Sequence, residues 1–247
     1  MAVAVVAVIA AACSSSKGHD DVAPTATTAT PSAGASTAAS SAPNTGPPDS
    51  SPLSLPGEGF LEPGRVYVNP LTEGAVQLSF RAPSKKGYVF ALDGTIYLSS
   101  DSQGEQSLVV LLDLDMTDVV TSATIDLDAT ADSDGMPAPG DTLAWFAALA
   151  GVTAGPETSA AFAGQSAKSI TYTVSSFEGE GHCASNSEGV CLPAFLTPTG
   201  FDLYYRSGDA GTMYQLDVDG HRVLVDVSDR PGATELADSM TLTAIHR

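Results

Sequence analysis

Residues 213–227 read MYQLDVDGHRVLVDV, and this stretch decides the fold class. Met213–Val218 and His221–Val227 each alternate in the period-two manner of half-buried strands. Between them stands Asp219-Gly220, a dipeptide that accepts the positive φ values of a two-residue type I′ turn. The stretch therefore predicts a tight antiparallel hairpin. Working upstream, Phe201–Tyr205 (FDLYY) and Ser169–Ser175 (SITYTVS) read as further strands. Downstream, Ala233–Ile245 carries Leu236, Met240 and Leu242 and reads as a short helix running into a strand.

The pattern continues toward the N-terminus. Arg65–Val68 and Ala75–Phe80 alternate as strands, with Asn69-Pro70 expected to separate them. Tyr88–Leu92 and Thr95–Leu98 flank Asp93-Gly94, which predicts a second hairpin. Ser107–Leu114, SLVVLLDL, is a continuous apolar run suited to a central strand. One helix is expected over Thr142–Ala150, with Asp141 as its N-cap and Gly151 as its stop. Leu143, Phe146 and Ala150 would form its buried stripe, and Trp145 would sit off that stripe on an edge. The fold class is α+β: an antiparallel β-sheet with one or two packed helices, following a signal peptide and a disordered tether.

Composition divides the 247 residues into three segments. Residues 1–12 hold an apolar run, Ala2–Ala12, whose ~16 Å helical rise is about half a ~30 Å hydrocarbon core. That length suits the apolar part of a signal peptide and not a mature membrane span. No Lys or Arg precedes the run, as a start codon placed too far downstream would produce. Residues 13–55 begin at Cys13 and continue in Ala, Thr, Ser, Pro and Gly, too poor in bulky apolar side chains to offset ordering entropy. Residues 56–247 hold every aromatic side chain and form a single domain.

Lys plus Arg number 10 against 29 Asp plus Glu, a net charge of −19. Such a surface repels nucleic acid and anionic headgroups, which leaves neither as a partner. Cys183 and Cys191 bracket the loop CASNSEGVC, and in an oxidising compartment that spacing reads as a local disulfide. Only His182 stands near them, against the four ligands a structural zinc site needs.

Two resemblances extend this reading. Ala10-Ala11-Ala12-Cys13 resembles the bacterial lipobox, with Ala10 where leucine is preferred, and Ser14-Ser15-Ser16 follow as they do in such proteins. The resemblance implies that Cys13 is diacylated and anchors the chain on the outer face of the cell membrane, since two acyl chains hold where one binds reversibly. An ordinary cleaved signal peptide, giving a freely secreted protein, is the alternative. Second, DTLAWFAALAGVTAGPETSAAFAGQSAKSITYTVS, the cysteine pair ending CLPAF, and YQLDVDGHRVLVDVSD occur in an order similar to actinobacterial secreted or lipid-anchored proteins of unknown function. The order of elements also looks like PsbP-type α+β sandwiches. Neither resemblance brings catalytic residues.

Chemistry is sparse in the sequence. No nucleophile elbow, SxxK, HExxH, Walker loop or GxGxxG occurs, so no cofactor is expected and no catalytic residue is assigned. Asp132, Asp134, Gly135 and Asp141 fall at the third, fifth, sixth and twelfth places of a calcium loop, but Thr130 holds the first place and prolines interrupt. Trp145, Tyr204, Tyr205 and Tyr214 are candidates for a ligand groove, since aromatic rings with a few polar groups build small-molecule sites. The sequence thus points to a non-enzymatic binding or accessory protein of the cell envelope, its partner an envelope protein or a small ligand. An envelope hydrolase and a calcium-dependent adhesion module are the alternatives.

Overall fold

The 213–227 stretch forms its hairpin, with Val218 opposite His221 and positive φ at both Asp219 (56°) and Gly220 (86°). It stands near the middle of a computed structural model that describes residues 51–84, 87–92, 94–99, 107–120, 135–175, 191–197 and 203–246, all inside one unit, Gly46–Arg247. In chain order the first strands are β1 (Leu53–Ser54), β2 (Glu58–Leu61), β3 (Val66–Leu71), β4 (Val76–Arg81), β5 (Gly87–Leu92), β6 (Thr95–Ser99), β7 (Ser107–Asp113), β8 (Asp118–Val120) and β9 (Gly135–Pro137). Helix α1 (Thr142–Ala147) is followed by β10 (Val152–Ala154), β11 (Thr158–Phe162), β12 (Gln165–Val174), β13 (Cys191–Leu196), β14 (Leu203–Arg206), β15 (Ala210–Val218) and β16 (His221–Ser228). Helix α2 (Ala233–Asp238) and β17 (Thr241–Ala244) end the described chain.

Among the described residues the strands make three sheets, so the architecture there is mainly β with two short helices and not one sheet with helical cover. The central sheet runs β10-β12-β15-β16-β7-β6-β5-β2, with β11 also paired to β12. The smaller sheets run β1-β3-β4-β17 and β14-β13-β8-β9. All pairings are antiparallel except β1 with β3.

Side-chain alternation along the central strands explains the layering. Val109 and Leu111 of β7 and Val223, Val225 and Val227 of β16 enter one core, shared with Tyr67, Leu78, Phe80 and Leu242 of the first small sheet and Leu236 of α2. Val110, Leu112 and Leu224 point the other way, into a second core with Phe195, Leu203 and Tyr205 of the other small sheet and Leu143 and Phe146 of α1. A strand covered on both faces needs apolar side chains at every position, which is why SLVVLLD shows no alternation although its neighbours are antiparallel.

Helix α1 begins as the sequence predicts: the Ala144 amide donates to Asp141 Oδ1 at 3.1 Å. It stops sooner, at Ala147, so Ala150 is exposed and only Leu143 and Phe146 of the expected stripe are fully buried. Asn69-Pro70 does not separate two strands; both residues lie inside β3. The parallel neighbour β1 pairs only with Tyr67 and Val68, so beyond them β3 is an edge, where proline is tolerated. Leu53 and Leu55, read from composition as tether, pack against the first core.

Candidate functional site

A cleft of about 640 Å³ opens on the first-core face of the central sheet. Its floor is a cross-strand row, Thr171 opposite Thr212 opposite Val227. One wall is the β11–β12 turn, which Ala163 (φ 51°) and Gly164 (φ 82°) close in the positive-φ conformation of a tight hairpin. Helix α2 adds Thr234, Ala237 and Asp238 to the lining. Phe162 and Tyr214 stand together at one end, ring centroids 4.7 Å apart. Burial raises the Tyr214 phenol above its ordinary value, and the Asp238 carboxylate adds to the rise. Asp229, the residue after β16, brings a second carboxylate to the cleft.

Behind the floor, on the other face of the sheet, lies a buried carboxylate. Asp226 accepts from the Tyr172 hydroxyl at 2.9 and 3.0 Å and from the Tyr205 hydroxyl at 3.0 Å. Burial pushes this carboxyl up to about 6, Asp209 adds to the rise, and the two tyrosine bonds oppose it. The same burial and the Asp226 charge hold both phenols well above their ordinary range. Tyr172 belongs to β12 and Tyr205 to β14, so Asp226 ties the central sheet to an outer one. Around the triad, Phe146 meets Tyr172 edge-on at 5.2 Å and lies 5.0 Å from Tyr205.

Gly211 links the two features. A Cβ there would run into the Val227 carbonyl oxygen and stand 3.1 Å from the Tyr172 hydroxyl. The missing side chain lets β15 carry the cleft floor at Thr212 while its backbone at Gly211 sits against the tyrosine clasp.

The four aromatic residues picked out as a groove do not share one. Tyr214 lies on the cleft face, whereas Tyr205 is buried in the second core. Trp145 is half-buried, edge-on to Phe195 at 5.6 Å. Tyr204 is half-buried on β14 in the outer sheet. Tyr214 and Tyr205 sit on different strands, and their distribution between two faces follows from pairing that short-range spacing does not contain. Asp141, the calcium candidate among the described residues, caps α1 through Oδ1. Asp132, Asp134, Cys13, Cys183 and His182 lie outside the described residues, as does the side chain of Cys191. His221 opens β16 at the far end from Ser228, about 23 Å away at ~3.3 Å per residue. His246 lies near that same turn, 3.6 Å from Asp219.

Asp226 escaped the sequence reading because it sits at an alternating position that looks solvent-facing. The signal is nonetheless present: a carboxylate within VLVDV, on a strand whose neighbours are buried on both faces. Among the described residues no group of three or more His, Cys, Asp or Glu is placed to hold a metal ion, and no helix is long and apolar enough to cross a membrane. No protein-family model, curated protein or solved structure matches the chain.

Proposed function

We propose that the folded unit is a non-enzymatic binding domain carried on the outer face of a bacterial cell membrane, and that it takes a small ligand in the cleft over Thr171, Thr212 and Val227. The observation that carries this reading is the cleft itself. The β11–β12 and β15–β16 hairpins and the α2 region converge on it, its 640 Å³ volume falls in the range of small-molecule sites, and it combines an aromatic pair with hydroxyls and two carboxylates. The described histidines stand near the opposite end of the β15–β16 hairpin, so the cleft offers hydroxyls, carboxylates and aromatic rings for binding with no imidazole beside them among the described residues. The Ala2–Ala12 run, the lipobox-like AAAC and the Ala/Ser/Thr/Pro tether support export and anchoring through Cys13, with the domain held away from the bilayer. In that oxidising space Cys183 and Cys191 join in a disulfide.

Native mass spectrometry of the full chain, isolated from the envelope of a bacterial host without denaturant, tests the reading. The expected result is a one-to-one small-molecule adduct that a Thr212→Trp substitution, placing an indole on the cleft floor, removes without lowering the melting temperature. A bare wild-type chain, or an adduct that survives Thr212→Trp, would overturn it.

A further inference from the structure

We infer that the cleft selects a small organic cation, an amine or quaternary ammonium, held between Asp229 and Asp238 over the ring of Tyr214; this rests on the cleft being the binding site and names its ligand class.

The charge around the cleft is uncompensated. Asp229 and Asp238 are exposed and line the cleft, and neither makes an ion pair among the described residues. The cation next in sequence, Arg230, turns instead to Asp209 at 3.5 Å. Asp238 moreover closes the last turn of α2, where no basic residue stands. Carbonyl dipoles at a helix C-terminus disfavour a carboxylate, so the placement works against local stability, as residues retained for binding do. A cation in the cleft would reverse that penalty and gain contact with the Tyr214 ring, which lines the cleft and already feels the Asp238 charge.

Size and donor count separate the ligand classes. Calcium takes about six to eight oxygen ligands, and two carboxylates fall well short. A primary ammonium has three donors, and the cleft lining holds two carboxylates and the hydroxyls of Thr212 and Thr171 as acceptors, while a quaternary ammonium needs only the charge and the ring. Ala161, Ala163, Gly164 and Ala237 keep the walls low, leaving room for an alkyl chain on the ammonium. Anions are repelled by the same two carboxylates.

Isothermal titration of the full chain with 1,4-diaminobutane and with tetramethylammonium, beside butane-1,4-diol and glucose as neutral probes, tests the assignment. Saturable one-to-one binding of at least one cation is expected, weakening as salt rises, with no binding of the diol. Asp229→Asn and Asp238→Asn should each lower the affinity about tenfold without lowering the melting temperature, the loss of one charge-assisted contact. Equal cation binding by the two variants would show only diffuse attraction to the −19 surface and would overturn the inference. Binding of a neutral probe in place of the cations would overturn the cation assignment while leaving the cleft a binding site. Absence of all binding would overturn the assignment, and the native adduct measurement would then decide the cleft's role separately.

Discussion

Replacing Asp226 with Asn should remove a pH-dependent load from the fold. In the folded chain this carboxyl titrates near 6, against 3.8 for the free group, a rise of about 2 units. At ~1.36 kcal/mol per unit, the ionised carboxylate costs the folded state about 3 kcal/mol. The sign follows from proton binding: between the two values the folded chain holds a proton that the unfolded chain has lost. Stability from this group is therefore greatest below pH 4, falls as pH rises through 4 to 6, and is flat above. For a domain of this size ~1 kcal/mol moves the melting temperature by ~2–4 °C, so the fall amounts to roughly 6–12 °C. Asn cannot ionise, yet its carbonyl oxygen still accepts from Tyr172 and Tyr205. Melting curves by circular dichroism at half-unit steps from pH 4 to pH 8 should show wild type and variant close together at the acid end and the variant more stable at the alkaline end. Exposed carboxylates titrate alike in both chains, so the difference curve isolates Asp226. Parallel curves, or a variant that loses stability chiefly at pH 8, would refute the reasoning.

Three further outcomes follow from the same contacts. Tyr205→Phe deletes the hydroxyl that joins β14 to Asp226 and should cost about 1.5–3 kcal/mol at pH 8, with a smaller loss at pH 4 where the carboxyl is neutral, read by urea unfolding. Gly211→Ala forces a methyl against the Val227 carbonyl and should cost about 1–3 kcal/mol, with a changed near-ultraviolet tyrosine spectrum because the Tyr172 hydroxyl is displaced. Cys13→Ala should shift the chain from the detergent phase to the aqueous phase and lower the intact mass by a diacylglycerol increment; unchanged partitioning would contradict lipid anchoring.

Local signals were legible in the sequence and distant ones were not. Asp219-Gly220 and the Asp93-Gly94 pair mark hairpins, because the positive φ of a two-residue turn is a demand met by the turn residues alone. Asp141 marks the start of α1 for the same reason, its carboxylate reaching an amide three residues on. The short helix running into β17 also followed from spacing. The division into three sheets did not, since β7 and β16 pair Leu111 with Val225 across more than a hundred residues. SLVVLLD tells that both faces of its strand are covered, but not that a sheet and a short helix cover each. The cleft is less legible still: Ala163, Thr212 and Asp238 come from three segments that only the tertiary fold brings together. Trp145 and Tyr205 drew attention as groove residues because an aromatic side chain reads the same whether it lines a cleft or fills a core.

The most direct test of the central claim is a backbone amide NMR map of the full chain titrated with 1,4-diaminobutane. Perturbed amides should cluster at Ala161–Gly164, Ala210–Thr212, Val227–Asp229 and Thr234–Asp238, four segments that frame the cleft. Shifts spread evenly over the acidic surface, or gathered around the β15–β16 turn at the far end of the hairpin, would contradict the assignment of this cleft as the binding site.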